Sequence, residues 1–188
     1  ELAELKAAGF SLENFDQRKA SKKADFSRVL KGSEDIASIK RVTEFANAYV
    51  IEKDNQIDSI VLPIHGYGLW STLYGFIALE SDLNTVAGLG FYEHAETPGL
   101  GGEVDNSAWK AKWQEKHVYN DQGEVAISVI KGHAEKDSLY QIDGLYGAAL
   151  YKHCSIVEGN LYWNEQWIPL KKPVINKSEI SQELELPT

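Results

Sequence analysis

The apolar positions of this chain change period once. In residues 1–50 they recur at helical intervals: Leu2, Leu5, Ala8 and Leu12, then Ile36, Ile39, Val42, Phe45 and Ala46. That spacing predicts amphipathic helical stretches, the first weakened by Gly9. Between them, residues 16–28 (DQRKASKKADFSR) form a charged run that reads as a solvated surface or loop. From Tyr49 the pattern turns to strands. Residues 48–51, a turn at Asp54-Asn55 and residues 59–64 read as a hairpin. Residues 73–79 and 85–92 read as two further strands around the turn-rich 80–84. Trp109 and Trp113 fall one helical turn apart within 105–117, a short amphipathic helix. Val118-Tyr119, a turn at 120–123 and residues 125–130 form a last hairpin. Residues 148–167 look helical and aromatic, with Leu150, Val157, Leu161 and Trp163 apolar and Gly159 interrupting. The tail from Pro169 is rich in Lys, Glu and Ser and reads as loosely ordered. The expected fold class is α+β, a mostly antiparallel twisted sheet with flanking helices. The expected organisation is a helical segment 1–48 packed on a domain spanning 49–168, with a tail at 169–188.

Composition narrows the function classes. A length of 188 residues suits one domain with a sizeable core. The net charge of −9 argues against nucleic acid or an anionic membrane surface as partner, since both favour basic proteins. The single cysteine, Cys154, excludes an internal disulfide. No apolar run approaches the roughly 18 residues of a membrane span, and no signal peptide is visible. The chain starts at Glu1 and contains no Met, which reads as a fragment, a processed form or an edited sequence.

Three glycine-bearing turns carry the candidate chemistry: Gly66-Tyr-Gly-Leu-Trp70, Thr97-Pro-Gly-Leu-Gly-Gly102 and Asp143-Gly-Leu-Tyr-Gly-Ala-Ala149. Each sits beside apolar or aromatic residues, and glycine permits close backbone approach. On spacing alone, the first is as well explained by a turn leading into a strand with core aromatics. The second is a tight turn on any reading. It lacks the Gly-x-Gly-x-x-Gly dinucleotide spacing and the Lys-Ser or Lys-Thr of a Walker loop. His94 with Glu93 and Glu96 forms a weak metal alternative, because no second histidine follows at helical spacing. The third turn is expected to enter a helix near Gly147 or Ala148, and free N–H groups at a helix start favour phosphate. His153 and Cys154 are adjacent, so on a helix they point apart and make a poor nucleophilic pair. A metal or thiol site around them, with Glu158 or His133, requires the fold to gather those groups.

Taken together, residues 57–131 resemble the flavin-binding domain of NqrC, a component of the bacterial Na⁺-translocating NADH:quinone reductase. The resemblance runs through VLPIHGYGLWSTLYGFIALESDLNTVAGLGFYEHAETPGLGGEVDN, the Trp109 and Trp113 segment and GEVAISVIKG. Residues 1–50 and the chain after Leu150 match poorly. The resemblance implies an FMN-binding electron carrier on the periplasmic face of the inner membrane, partnered by the other reductase subunits and by a flavin transferase. It also implies an N-terminal transmembrane anchor, which this sequence does not show. The family's FMN is joined by a phosphoester to a threonine in Asp-Gly-x-Ser-Gly-Ala-Thr. Here Asp143, Gly144, Gly147, Ala148 and Leu150 keep the pattern, Tyr146 stands at the serine and Ala149 at the acceptor threonine. Tyr151 and Lys152 stand where Thr-Ser normally follows. Alanine has no oxygen nucleophile, so FMN is expected to be at most non-covalent. By the same resemblance, Leu69, Trp70, Thr72, Thr97, Gly99, Leu100 and Lys131 would meet the ring and the phosphate-bearing chain. The alternative is an engineered or divergent non-redox module, its flavin pocket filled by Tyr146 and Tyr151.

Overall fold

The computed structural model describes residues 15–35, 37–43 and 45–145. Its centre is a four-stranded antiparallel sheet in the order β3 (Tyr49–Lys53), β4 (Gln56–Tyr67), β5 (Thr72–Glu80) and β6 (Val86–Glu93). Before it come helix α1 (Gln17–Ala20) and a small antiparallel pair, β1 (Ser27–Val29) and β2 (Arg41–Thr43). After it come a 3₁₀ turn at Gly101–Asp105, helix α2 (Ser107–Ala111) and the short strands β7 (Ser128–Ile130) and β8 (Gln141–Asp143).

Local chemistry explains the sheet. Asp54 and Asn55 both have positive φ, 52° and 60°, as a two-residue hairpin turn between twisted strands requires. Pro63 is tolerated in β4 because it lies beyond Val61, where pairing with β3 stops. The β5–β6 turn is tied by Asp82, whose carboxylate accepts from Asn84 N, Thr85 N and Thr85 Oγ1 at 2.9, 2.8 and 2.6 Å. The outer edge of β6 is not left open: Val86 N donates to Lys116 O and Glu115 N to Val86 O.

Alternation then divides the sheet into two faces. Ile60, Ile64, Leu73, Ile77 and Leu79 point to one face and are buried. All of these but Ile60 pack under Val104, Trp109, Trp113, Ile127, Val129 and Ile142. Trp109 and Trp113 meet edge to face, 5.6 Å between ring centres. The opposite face carries Tyr49, His65, Tyr74, Phe76 and Tyr92. The segment around α1 crosses part of that face and leaves a cleft of about 350 Å³ against it. Phe15, Phe26 and Phe45 gather around Ala20 to make a small second core beneath that segment.

The strand readings at 48–64, 73–79 and 85–92 agree with the sheet, and the fold class stands. Several local expectations do not. Val42 belongs to a strand and not to an amphipathic helix, because β2 pairs with β1. The charged run 16–28 holds α1, capped by Asp16 accepting from Lys19 N at 3.0 Å, and part of β1. Helix α2 is only five residues long. The last hairpin shrinks to a single bridge between Tyr119 and Val125. Its second half becomes β7, which pairs in parallel with β8. Long-range pairing outweighed local alternation there. The expected helix at 148–167 and the tail lie outside the described residues. Among the described residues, no helix is long and apolar enough to cross a membrane.

Candidate functional site

Two of the glycine turns meet at one end of the sheet, and strand order alone explains why. The loop 68–71 joins β4 to β5, and the loop 94–102 leaves the end of β6 beside them. Gly68 N donates to Ser71 O at 2.7 Å, which closes the first loop. Gly102 N and Leu100 N both donate to Thr97 O, at 2.9 and 3.1 Å, which close the second, with Gly99 at φ +75°.

A buried carboxylate joins the loops. Glu96 is only 7% exposed, and its Oε1 accepts from Leu69 N at 3.0 Å and Trp70 N at 3.2 Å. Two glycines make room for it. A Cβ at Gly68 would overlap Glu96 Oε1, and a Cβ at Gly101 would overlap Oε2. Ala95 N donates to Ser71 Oγ at 2.9 Å, a second tie between the loops. Glu96 N donates to His94 Nδ1, so the His94 ring proton sits on Nε2, 2.9 Å from Asp105 Oδ2. Held this way, the loops turn apolar side chains outwards: Leu69 is 40%, Trp70 63% and Leu100 45% exposed. Thr72 pairs with Tyr67 at the mouth of the loop, and Thr97 is exposed.

The third turn is anchored from the core. Trp109 Nε1 donates to Asp143 O at 2.9 Å, and Ala134 N to Asp143 Oδ1 at 2.6 Å. Lys112 Nζ reaches Asp143 Oδ2. The Lys112 ammonium, helped by the Ala134 amide, holds the Asp143 carboxyl down to about 2. Gly144 N donates to Gly132 O, and Lys131 beside it is exposed. Tyr146, Gly147, Ala148, Ala149 and Leu150 lie outside the described residues, as do His153, Cys154 and Glu158.

The grouping of Glu93, His94 and Glu96 comes apart in three dimensions. Glu93 turns to Arg18, His94 to Asp105, and Glu96 to the 69–70 amides. No cluster of His, Cys, Asp or Glu suited to a metal occurs among the described residues. What the sequence reading missed is the linking role of Glu96 and the anchoring of Asp143 by Trp109 and Lys112. The signal for the first was there in Gly68 and Gly101, glycines that mark a close approach.

The chain thus presents an α+β domain with two stitched glycine loops and outward apolar side chains at one sheet end. Residues 68–150 match the FMN-binding domain family. The domain is of the NqrC type. It is 54% identical over 139 residues to NqrC of the Na(+)-translocating NADH-quinone reductase of Pseudomonas aeruginosa, covering 72% of this chain and 53% of that protein. It is 43% identical over 152 residues to the NqrC protein of Vibrio alginolyticus, covering 79% and 59%. The crystal structure of Shewanella oneidensis NqrC superposes with a TM-score of 0.68 at 34% identity, covering 75% of this chain and 64% of that one. The chain thus spans about half the length of the curated relatives it matches.

Proposed function

We propose that this domain is an electron-carrier module that holds FMN without a covalent bond. The observation that carries the reading is the pair of loops fixed by Glu96, with Leu69, Trp70 and Leu100 exposed on them. Exposed apolar side chains on a rigid backbone suit the face of a planar ring. The residues fit the ring, and the exposed Lys131 suits a phosphate. They do not fit the phosphoester, because position 149 is alanine and offers no oxygen. Bound FMN would supply one-electron redox chemistry. The chain's own residues would bind and orient it: Leu69, Trp70 and Leu100 would cover the ring, and Thr97, Gly99 and Thr72 would shape the loops beside it. By its sequence pattern, the family's attachment turn would run through Asp143, Gly144, Tyr146, Gly147, Ala148 and Leu150. Kinship with NqrC supports a role inside a Na⁺-translocating NADH:quinone reductase, at the periplasmic face of the inner membrane. In that role the other reductase subunits are partners, and the flavin transferase lacks its acceptor at Ala149.

The test is to co-express the chain with a flavin transferase, purify it, and precipitate it with acid. Flavin should stay in the supernatant for this chain and in the pellet for Ala149→Thr with Tyr146→Ser. Flavin retained in the pellet of the unaltered chain overturns the reading. Titration with free FMN should quench flavin fluorescence, and Trp70→Ala should weaken binding about tenfold or more, the loss of one stacked aromatic face. No quenching at saturating FMN favours the non-redox module with Tyr146 and Tyr151 in the pocket.

A further inference from the structure

Leu69 N and Trp70 N are consecutive amides that converge on one point, 3.0 and 3.2 Å from Glu96 Oε1. Consecutive backbone N–H groups aimed at one point form a concavity that ordinarily takes an anion. Here the anion is the protein's own. The Glu96 carboxylate fills the concavity, and the glycines at 68 and 101 leave space for nothing larger than a hydrogen beside its two oxygens. The bond spans 27 residues of sequence, so it cannot be a local turn device. The carboxylate is buried, yet the two residues whose amides it accepts, Leu69 and Trp70, turn their side chains to solvent.

We propose that Glu96 is a positioning and specificity residue that reserves this end of the sheet for an uncharged planar ring and closes it to phosphate. The inference rests on the flavin reading and adds an orientation to it. Two effects combine. By accepting both amides, Glu96 fixes the backbone that carries Leu69 and Trp70. By occupying the anion position with a fixed charge, it repels a phosphate that would otherwise dock on the same amides. A phosphorylated flavin must then enter ring first, with its phosphate directed away from the 68–71 loop. Backbone glycines mark many phosphate loops. Here two consecutive amides of the 68–71 loop are already satisfied from within.

The experiment compares the whole chain with Glu96→Gln and Glu96→Ala, using lumiflavin (the ring without phosphate), FMN and inorganic phosphate as probes. Amide NMR signals of Leu69 and Trp70 report on the loop without any flavin. Glu96→Gln keeps an acceptor oxygen and is expected to leave those signals and lumiflavin binding near those of the unaltered chain. Glu96→Ala is expected to shift both amides and to weaken lumiflavin about tenfold. It should also gain a response that the unaltered chain lacks: movement of the Leu69 and Trp70 amides on addition of phosphate. A purely structural role for Glu96 predicts no such gain. Should Glu96→Ala fail to fold, Glu96→Ser, whose side chain is too short to reach the same amides, is read identically. The proposal is overturned if Glu96→Ala binds lumiflavin as tightly as the unaltered chain, or if phosphate already moves the two amides in the unaltered chain. If the unaltered chain binds neither flavin, the flavin reading fails, and the phosphate response alone still decides what Glu96 does.

Discussion

Glu93 and Glu96 stand three residues apart and anchor opposite sides of the same sheet end. Glu93 is half exposed and clasps Arg18, whose two guanidinium nitrogens lie 2.8 and 3.1 Å from its oxygens. Arg18 in turn lies 3.7 Å over the Tyr74 ring, which stacks on His65. This latch ties the α1 segment to the aromatic face. Glu96 is buried and ties loop to loop on the side of the exposed Trp70. The two carboxylates hold with very different strength. In the latch, water competes for every partner and salt screens the charge, so the link contributes little. In the loop, Glu96 is only 7% exposed and accepts two amides with its charged carboxylate, so water and salt compete far less for the link. Fixed geometry belongs on the buried side.

That contrast can be broken by measurement. The largest effect belongs to the core that backs both sides. Trp113→Ala empties a site 1% exposed and should cost about 3–5 kcal/mol in urea unfolding. Loss of much less would mean the sheet does not depend on that cover. Next, Glu96→Ala should cost about 2 kcal/mol by the same assay, from the loss of both hydrogen bonds to the carboxylate. Arg18→Ala should lower the thermal midpoint only slightly, and its small effect should fade in high salt. If Arg18→Ala proves as damaging as Glu96→Ala, the comparison is wrong.

Acid adds a sharper view of each side. Burial, then the nearby Arg18 charge, push the His65 imidazole below its ordinary value of 6.5. Since the folded form resists protonation, stability is full above 6.5 and declines as pH falls below it. His65→Phe should flatten that decline in thermal melts taken across the range. Asp143 has the carboxylate pattern: its folded value, about 2, lies below the ordinary 3.8. Its contribution is present above 3.8 and lost as pH falls through about 2. Asp143→Asn should remove that lower limb, and an unchanged acid limb would mean that Lys112 and Ala134 do not favour the charged form.

The legible parts of the chain were those governed by near neighbours. Alternation from Ser59 to Glu93 and the Asp54-Asn55 turn announced the hairpins, because side-chain period and turn φ are local properties. Val42 misled, since a three-residue strand carries too little alternation to outweigh a helical-looking spacing. Residues 125–130 misled because the partner of β7 is β8, reached through a parallel pairing that no turn signal encodes. The grouping of Glu93, His94 and Glu96 looked like one cluster in sequence. Strand β6 ends at Glu93, so His94 and Glu96 lie in the loop beyond it, and the three found three different partners.

The strands, the glycine turns, the aromatic content and the missing oxygen at Ala149 can all be read along the chain, since each is written in one residue or in a short repeat. Folding was needed to bring Glu96 to the amides 26 and 27 residues upstream and Arg18 to Glu93 across 75. Such meetings depend on strand register and on which loops share a sheet end. Both are set by burying the core face as a whole, and no segment carries that information alone.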